Sequence, residues 1–389
     1  MKTFAIIGSG RQGTASGYDI LKHNPKSSLI MVDINIDFAN KAVRTLLNLL
    51  PQTKIEPKEL DISNAQETKD FLKNIDILIS AIPYKYNLEL TKLSIASRTS
   101  MVDLGGNTEV VKKQIALNSE ARKNGVTIVP DCGMGPGMNV SMALLAMEQI
   151  DSPKEVLIWD GGLPLNPIPP WNYALFFHIE GLTNEYDGNA HFLKGGNVID
   201  VKCFNKREII NFGSEIGDLE AAVTSGGLST MPWTYKGKLD RLENKTLRYR
   251  GHWDSMIAYK NLDLFSRNPI EIDGVSIVPR KFYHYMLNKK INKGIVEDIC
   301  IMRVDVHGSN NKKETLVRVE SIEKFDKELG FTAMEKWTGW HASIVAQQIS
   351  INNISSGSIP IEKALSGKVF YRQAILRGYN ISIKTQVKD

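Results

Sequence analysis

Cysteine is nearly absent from this chain. Three residues in 389, Cys132, Cys203 and Cys300, lie far apart with no C-x-x-C pair. That argues against a disulfide framework or a zinc site, and it fits a reducing compartment such as the cytoplasm. A large excess of one charge is missing too. The net charge is +5, and the basic residues are scattered without aromatic interleaving. The pattern suits anionic small molecules and predicts no nucleic-acid groove. No apolar run reaches the ~18 residues of a membrane span, so no membrane partner is expected. The N-terminus enters strand-like sequence directly, without a basic leader or a small-residue cleavage site. Repeats and low-complexity tracts are lacking. What is present is ordinary for a soluble enzyme: 42% hydrophobic and 23% charged residues. The length favours two domains over one.

The first few dozen residues carry the clearest pattern. Thr3-Phe-Ala-Ile-Ile7 reads as a buried strand, Gly8-Ser9-Gly10-Arg11-Gln12-Gly13 as a G-x-G-x-x-G turn, and Leu29-Ile-Met-Val-Asp33 as a second strand ending in an acid. Gly8 permits the tight turn, Gly10 lets backbone amides approach a diphosphate, and Gly13 lets helix and strand pack closely. The diphosphate is expected at the helix N-terminus, where unpaired N–H groups and the dipole favour an anion. Asp33 follows Gly13 by the expected ~20 residues and suits the adenosine ribose hydroxyls. Ile34 and Asn35 follow, with nothing basic. An acid there repels a 2′-phosphate, so NAD is expected over NADP.

Strands and helices then alternate. Helices are predicted near Ile36–Leu47, after Ser63 or Asn64, at Tyr84–Ser97 and at Thr108–Lys123. Strands are predicted at Ile55–Leu60, Asp76–Ala81, Met101–Asp103 and Val126–Val129. Six apolar strands separated by helices imply a parallel sheet covered on both faces, a Rossmann domain over 1–131. Ligands in such sheets lie beyond the carboxyl ends of the strands. That rule selects Gly8 to Gln12, Asp33, Asp61, Ala81-Ile82-Pro83, Asp103 to Gly106 and Asp131 to Gly137.

The texture changes after Asp131. A glycine-rich loop, Gly133–Gly137, precedes a helix at Met138–Gln149. Strand-like runs with proline and glycine punctuation follow, at Val156–Asp160, Tyr173–Phe177, Thr246–Arg250, Val275–Val278, Asp298–Val306 and Glu314–Glu320. They predict a largely antiparallel sheet with helices, an α+β substrate domain over 132–339. Trp340–Gln348 reads as an amphipathic helix, and 340–389 as a helical segment returning to the first domain.

Several stretches here are shared with a known family: Val102-Asp-Leu-Gly-Gly106, Pro130-Asp-Cys-Gly-Met-Gly-Pro-Gly-Met138, Gly161-Gly-Leu-Pro164, Glu180-Gly-Leu182, Thr224–Thr230 and Lys245-Thr-Leu-Arg-Tyr-Arg-Gly-His252. On these the chain resembles the saccharopine dehydrogenase-like family, most closely its lysine 6-dehydrogenases. Gly135, Arg250 and His252 stand where saccharopine reductases typically carry other residues, which turns the resemblance toward the lysine branch. It implies NAD-dependent oxidation of the ε-carbon of L-lysine, with release of ammonia and a semialdehyde able to cyclise. It also implies a homodimer paired through the second sheet. The alternative within the family is a dehydrogenase that makes or breaks a secondary amine, as in saccharopine or carboxynorspermidine metabolism. An inert dinucleotide sensor is the alternative from another class.

The chemistry sets its own requirements. A lysine ammonium with pKa near ~10.4 must lose a proton before hydride can leave. A cation is needed for the α-carboxylate and an acceptor for the α-ammonium. Arg248 and Arg250 alternate on a predicted strand and are expected to share one face. His252 is the expected base by its ordinary pKa. Asp103, Asp131 and Glu180 are the acidic candidates for the amine, and Tyr84 is placed to flank the nicotinamide. Cys132 reads as packing, since amine oxidation needs no covalent step. No metal is expected.

Overall fold

The computed structural model describes residues 2–387. Two sheets organise them. The first is built from β1 (Thr3–Ile7), β2 (Ser28–Asp33), β3 (Lys54–Glu59), β4 (Ile77–Ser80), β5 (Ser100–Asp103) and β6 (Thr127–Val129). The second contains β7 (Ser152–Pro164), β8 (Asn189–Lys194), β9 (Asn197–Lys202), β10 (Glu208–Asn211), β11 (Asp218–Ala222) and β12 (Arg241–Arg248). A small separate hairpin pairs β13 (Ile270–Ile272) with β14 (Val275–Ile277). The long strands β15 (Asp298–Asn310) and β16 (Lys313–Lys324) return to the second sheet.

The first sheet is parallel and runs β6-β5-β4-β1-β2-β3. Its interior strands are apolar on both faces because helices cover both. Phe4, Ala5 and Ile6 of β1 and Leu78 and Ile79 of β4 are fully buried. Strand order reverses between β1 and β4, so the crevice opens above Gly8 and Ala81. A seventh strand, β17 (Gly357–Ser358), adds to β6 in parallel. It comes from the far end of the chain and has no apolar run of its own, which is why six strands were predicted.

The second sheet runs β10-β11-β12-β7-β15-β16-β18, with β8 and β9 branching from β12. β18 (Ile381–Val387) is its edge. Pairing is antiparallel except for β12 on β7. The helix Met138–Met147 packs between this sheet and the helix Gly367–Leu376. Every residue from Met138 to Ala146 is buried, as expected of a helix that is apolar all round.

The structure corrects several expectations. Thr108–Lys123 is two helices, Thr108–Ala116 and Asn118–Asn124, broken at Leu117. Tyr173–Phe177 is a buried loop and not a strand; its apolar side chains fill the core without a ladder partner. The predicted strand Thr246–Arg250 ends at Arg248. The residues after 340 are not only helical. The helix His341–Ser350 lies against β4 and β5, but β17 and β18 then join one sheet each, so the terminal segment ties both layers together.

Among the described residues, no helix is long and apolar enough to cross a membrane. None of their His, Cys, Asp and Glu side chains form a group of three or more that could hold a metal ion.

Candidate active site

The glycine turn has the shape a dinucleotide needs. A Cβ on Gly13 would stand 2.0 Å from the Gly8 carbonyl oxygen, and one on Gly8 would stand 2.5 Å from that of Ala81. Neither position tolerates a side chain. Above Gly10 a Cβ would meet nothing within 4 Å; the space is open at the N-terminus of the helix Arg11–His23. That helix has no side-chain cap and no acid in its first turn, so its first amides are free for an anion. Gln12 adds a buried Oε1 without a partner. These features fit a diphosphate. Arg11 is turned away, pairing with Glu335 of the second domain. Asp33 bridges the turn to the next helix, accepting from Ser9 N at 2.9 Å and Asn35 N at 3.1 Å. Ile82 and Pro83 follow Ala81 at the mouth of the crevice. Asp61 is exposed and accepts from Ser63 N at 2.9 Å; that bond pulls its carboxyl below the usual range. It shapes the turn into the next helix.

Beyond β5 and β6 the expected acids separate into different roles. Asp103 Oδ1 accepts from Gly105 N (2.8 Å) and Asp131 N (3.2 Å), while Oδ2 accepts from Gln114 Nε2 (2.8 Å). Its capacity is spent holding the two loops together. Asp131 differs. It is 1% exposed, sits at φ +59°, and its Oδ1 meets no partner. A Cβ on Gly105 would stand 1.9 Å from that oxygen, so only glycine leaves it room. Burial first, and then the neighbouring Asp103 charge, push its carboxyl up to about 7.

Arg248 ends β12 and is 3% exposed. Its guanidinium lies 4.8 Å from the Tyr173 ring centroid and 5.9 Å from that of Tyr186. Nε donates to Tyr186 Oη at 3.0 Å and Nη1 to the Leu247 carbonyl at 2.9 Å. Nη2 faces Glu185 Oε2 at 3.9 Å, too far for a hydrogen bond. Burial weakens the charge of Arg248, but Tyr186, Tyr173 and Glu185 more than offset that and hold it above the ordinary arginine value. Glu185 keeps 31% of its side chain exposed. Burial raises its carboxyl to about 7 against the pull of Arg248. Asp160 of β7 completes the cluster, fixed by Asn139 Nδ2 at 3.0 Å and Asn244 Nδ2 at 3.2 Å. Burial pushes it up to about 6.

Three expected residues are held in arrangements other than those predicted. Arg250 lies past the strand end, mostly exposed, and pairs with Asp218 at 2.8 Å; the alternation that should have put it beside Arg248 stops two residues earlier. His252 is fully buried. Its Nδ1 bonds the Trp171 carbonyl at 2.8 Å and its Nε2 bonds Tyr186 Oη at 2.9 Å. Nδ1 must carry the hydrogen, since a carbonyl only accepts, so Nε2 accepts from the tyrosine. Burial and the Arg248 charge lower its pKa to about 3. His252 therefore has no free nitrogen and stays neutral, orienting Tyr186 and through it Arg248. Glu180 is held by Arg267 (2.6 Å), Arg280 (3.4 Å) and His284 (3.4 Å) and anchors its helix, away from any amine. Tyr84 packs beside Gly106, and its hydroxyl accepts from Asn184 Nδ2 at 3.0 Å. That contact brings the helix Ile179–Glu185, with Glu185 at its end, over the crevice.

Glu185, Asp160, Tyr173 and Tyr186 were missed. The available signals were weak: an acid directly before Gly161-Gly162, and an acid-tyrosine pair ending a short helix. Cys132 is buried, and burial raises its thiol well above the ordinary value, which leaves it as packing.

A family profile described as "Saccharopine dehydrogenase C-terminal domain" matches residues 133–377. A second, "Saccharopine dehydrogenase NADP binding domain", matches residues 4–129. The mitochondrial alpha-aminoadipic semialdehyde synthase of Mus musculus is 26% identical over 281 residues, covering 68% of this chain and 29% of that protein. The saccharopine dehydrogenase [NADP(+), L-glutamate-forming] of Saccharomyces cerevisiae is 23% identical over 172 residues, 43% of this chain and 38% of that protein. The chain thus spans well under half the length of either relative. In fold, it superposes on the apo saccharopine dehydrogenase (L-Glu forming) of Saccharomyces cerevisiae with a TM-score of 0.77 at 16% identity, covering 100% of both chains. The homospermidine synthase of Legionella pneumophila in complex with NAD gives a TM-score of 0.68 at 12% identity, covering 100% of this chain and 92% of that one.

Proposed function

The chain belongs to the saccharopine dehydrogenase family, and from that premise we propose that it oxidatively deaminates the ε-amine of L-lysine with NAD, giving the 6-semialdehyde and ammonia. One observation carries the choice of substrate: the buried guanidinium of Arg248 faces a partly exposed carboxylate, Glu185, at 3.9 Å without a hydrogen bond. That spacing suits the head group of one α-amino acid, with its carboxylate on Arg248 and its ammonium on Glu185. Arg250, the expected second cation, points to solvent on Asp218. A saccharopine-type substrate brings further carboxylates and needs further cations, so a lysine-sized amino acid fits better.

The placement supports the following proposed roles. Gly8 to Gly13 with Asp33 hold the dinucleotide, and the mouth residues Ala81, Ile82, Pro83 and Tyr84 border its ring. The bound nicotinamide supplies the hydride acceptor. Asp131 takes the proton that the ε-ammonium must lose; its carboxyl near 7 is matched to neutral pH. Asp103 positions Asp131 through the backbone. Asp160 fixes the floor through Asn139 and Asn244. Once the ε-carbon is oxidised to an imine, water adds and ammonia leaves. NAD is proposed over NADP because Asp33 presents a carboxylate beside the turn. We include cytoplasmic location and a homodimer through the second sheet. The edge strand β18, with Ile383 and Val387 exposed, offers unpaired backbone for the latter, and light scattering checks it.

The test is spectrophotometric. NADH formation with L-lysine alone is expected. Activity seen only with saccharopine, or only with lysine plus 2-oxoglutarate and reduced cofactor, would establish the secondary-amine reaction instead. Tight cofactor binding without turnover of any amine would make the protein a sensor.

A further inference from the structure

Between Ser266 and Arg280 the chain leaves the second domain as an arm. Arg280 N donates to the Ser266 carbonyl at 3.0 Å and its Nε to the Phe265 carbonyl at 2.7 Å, which closes the root. Arg267 pins the root to Glu180 at 2.6 Å. Residues 267–276 are all exposed. The arm is the hairpin of β13 and β14, which joins neither main sheet. Each of its strands therefore keeps an outer edge without a ladder partner. In its register Ile270 pairs with Ile277 and Ile272 with Val275. These four β-branched side chains share one face, and Glu271 and Ser276 share the other. Ile270, Ile272 and Val275 are 47%, 48% and 59% exposed. An isolated two-stranded hairpin is marginal in water, and one with an apolar face open to solvent gains from a cover.

The helix that follows, Pro279–Ile291, continues the surface. Phe282 N bonds the Val278 carbonyl at 3.2 Å, directly after β14. Phe282, Tyr285 and Met286 are spaced i, i+3, i+4 and lie on one helix face; all three are exposed. With the three arm residues they open on the order of 600 Å² of apolar surface, as much as the largest patch of an ordinary monomer. Together with the polar atoms around them, that approaches the ~800 Å² that one side of a stable dimer buries. The charges indicate the occupant. Between residues 268 and 279 the arm carries Glu271 and Asp273 and no cation, whereas the helix carries Lys281, Lys289 and Lys290 and no acid. Among the described residues, none of these five makes an ion pair within the chain. An acidic arm and a basic helix on one chain complement each other when two copies exchange them across a two-fold axis. We propose that a second copy of this chain covers this surface. Each arm lies on the other copy's helix, apolar face to apolar face, with the acids against the lysines. The contact is separate from the one at β18, so the two together assemble four chains and this one alone assembles two.

The experiment is analytical ultracentrifugation of the whole protein, with carbodiimide cross-linking of a mixture of isotope-labelled and unlabelled chains. Cross-links joining Glu271 or Asp273 of one isotope to Lys281, Lys289 or Lys290 of the other are expected. Ile272→Asp with Val275→Asp is expected to weaken association about 100-fold and to halve the observed mass. Lys281→Glu with Lys290→Glu is expected to weaken it about tenfold, and adding Glu271→Lys with Asp273→Lys to restore it. Ile383→Asp, in β18, is expected to leave the mixed cross-links in place, which keeps this contact distinct from pairing through the sheet. An unmodified protein without mixed-isotope cross-links, a mass that Ile272→Asp with Val275→Asp does not change, or monomers that bind anionic phospholipid vesicles through this face instead would overturn the proposal. Should the paired aspartates not fold, as read by melting temperature, the cross-links of the unmodified protein decide the matter.

Discussion

Arg248 Nη2 and Glu185 Oε2 stand 3.9 Å apart with no hydrogen bond between them. Each is fixed from behind, the arginine by Tyr186 and the Leu247 carbonyl, the glutamate by the short helix that Asn184 pins to Tyr84. A pair held close yet unjoined is organised for a third party. Glu185→Gln keeps the shape and removes the charge. It is expected to raise the lysine KM about 10- to 100-fold, the loss of one charge-assisted contact of ~1.5–3 kcal/mol. NAD affinity should not move. Equal loss of cofactor and substrate binding, by fluorescence titration and steady-state kinetics, would show that Glu185 is structural.

Asp131 makes a kinetic and a thermodynamic prediction. In its proposed role as proton acceptor it must be ionised, so kcat is expected to rise with pH through about 7. Asp131→Asn should lower kcat by ~10²–10⁴-fold, the usual share of a general base, with NAD binding retained. For stability, its folded-state carboxyl lies above the ordinary 3.8. The folded protein therefore holds a proton that the unfolded chain has released, and stability falls as pH rises from about 4 to 7. Asp160 and Glu185 act in the same direction. The asparagine variant should thus lose less melting temperature than the unmodified protein between pH 5 and 8, by several degrees on calorimetry. A parallel decline would remove Asp131 as a titrating group.

The dinucleotide half of the molecule was legible in its sequence, and the reason is local. Gly8, Gly13 and Asp33 act within one strand–turn–helix–strand unit, where spacing alone dictates geometry. The second half was legible only in part. Arg248 was named and lies in the buried cluster, but Arg250 was placed with it because alternation carries no mark of where a strand ends; this one ends at Arg248, and Gly251, at φ +86°, leads into the next helix. His252 was read by its ordinary pKa, which burial moved out of range. Glu185 comes to Arg248 from a helix more than sixty residues upstream, a meeting that only the packed structure reveals. β17 is two residues of an otherwise irregular stretch, supported by the sheet it joins more than by its own propensity.

Asp33 is the residue on which the proposed preference for NAD rests. Its carboxylate is tied to Ser9 N and Asn35 N, so a 2′-phosphate would meet a fixed negative charge. Asp33→Arg is expected to weaken NAD at least tenfold and to raise the ratio of NADP to NAD affinity by more than that. The substitution also removes the Ser9 contact, so NAD weakening alone is ambiguous. The ratio is the diagnostic, read by fluorescence titration of both reduced cofactors. An unchanged ratio would show that Asp33 merely braces the turn.

His252 separates positioning from base catalysis. Its pKa near 3 predicts a neutral imidazole throughout pH 5–9, seen as an NMR ring resonance that does not titrate there. The folded pKa is depressed below the ordinary 6.5, so its contribution to stability is present above about 6.5 and is lost as pH falls toward 3. If the ring only orients Tyr186 and Arg248, His252→Gln, which can still accept the tyrosine hydrogen, should raise the lysine KM severalfold. It should leave the acid limb of the kcat profile where Asp131 sets it. Loss of that limb in the glutamine variant, with Asp131→Asn retaining it, would transfer the base to His252 and require the buried ring to open to the cleft.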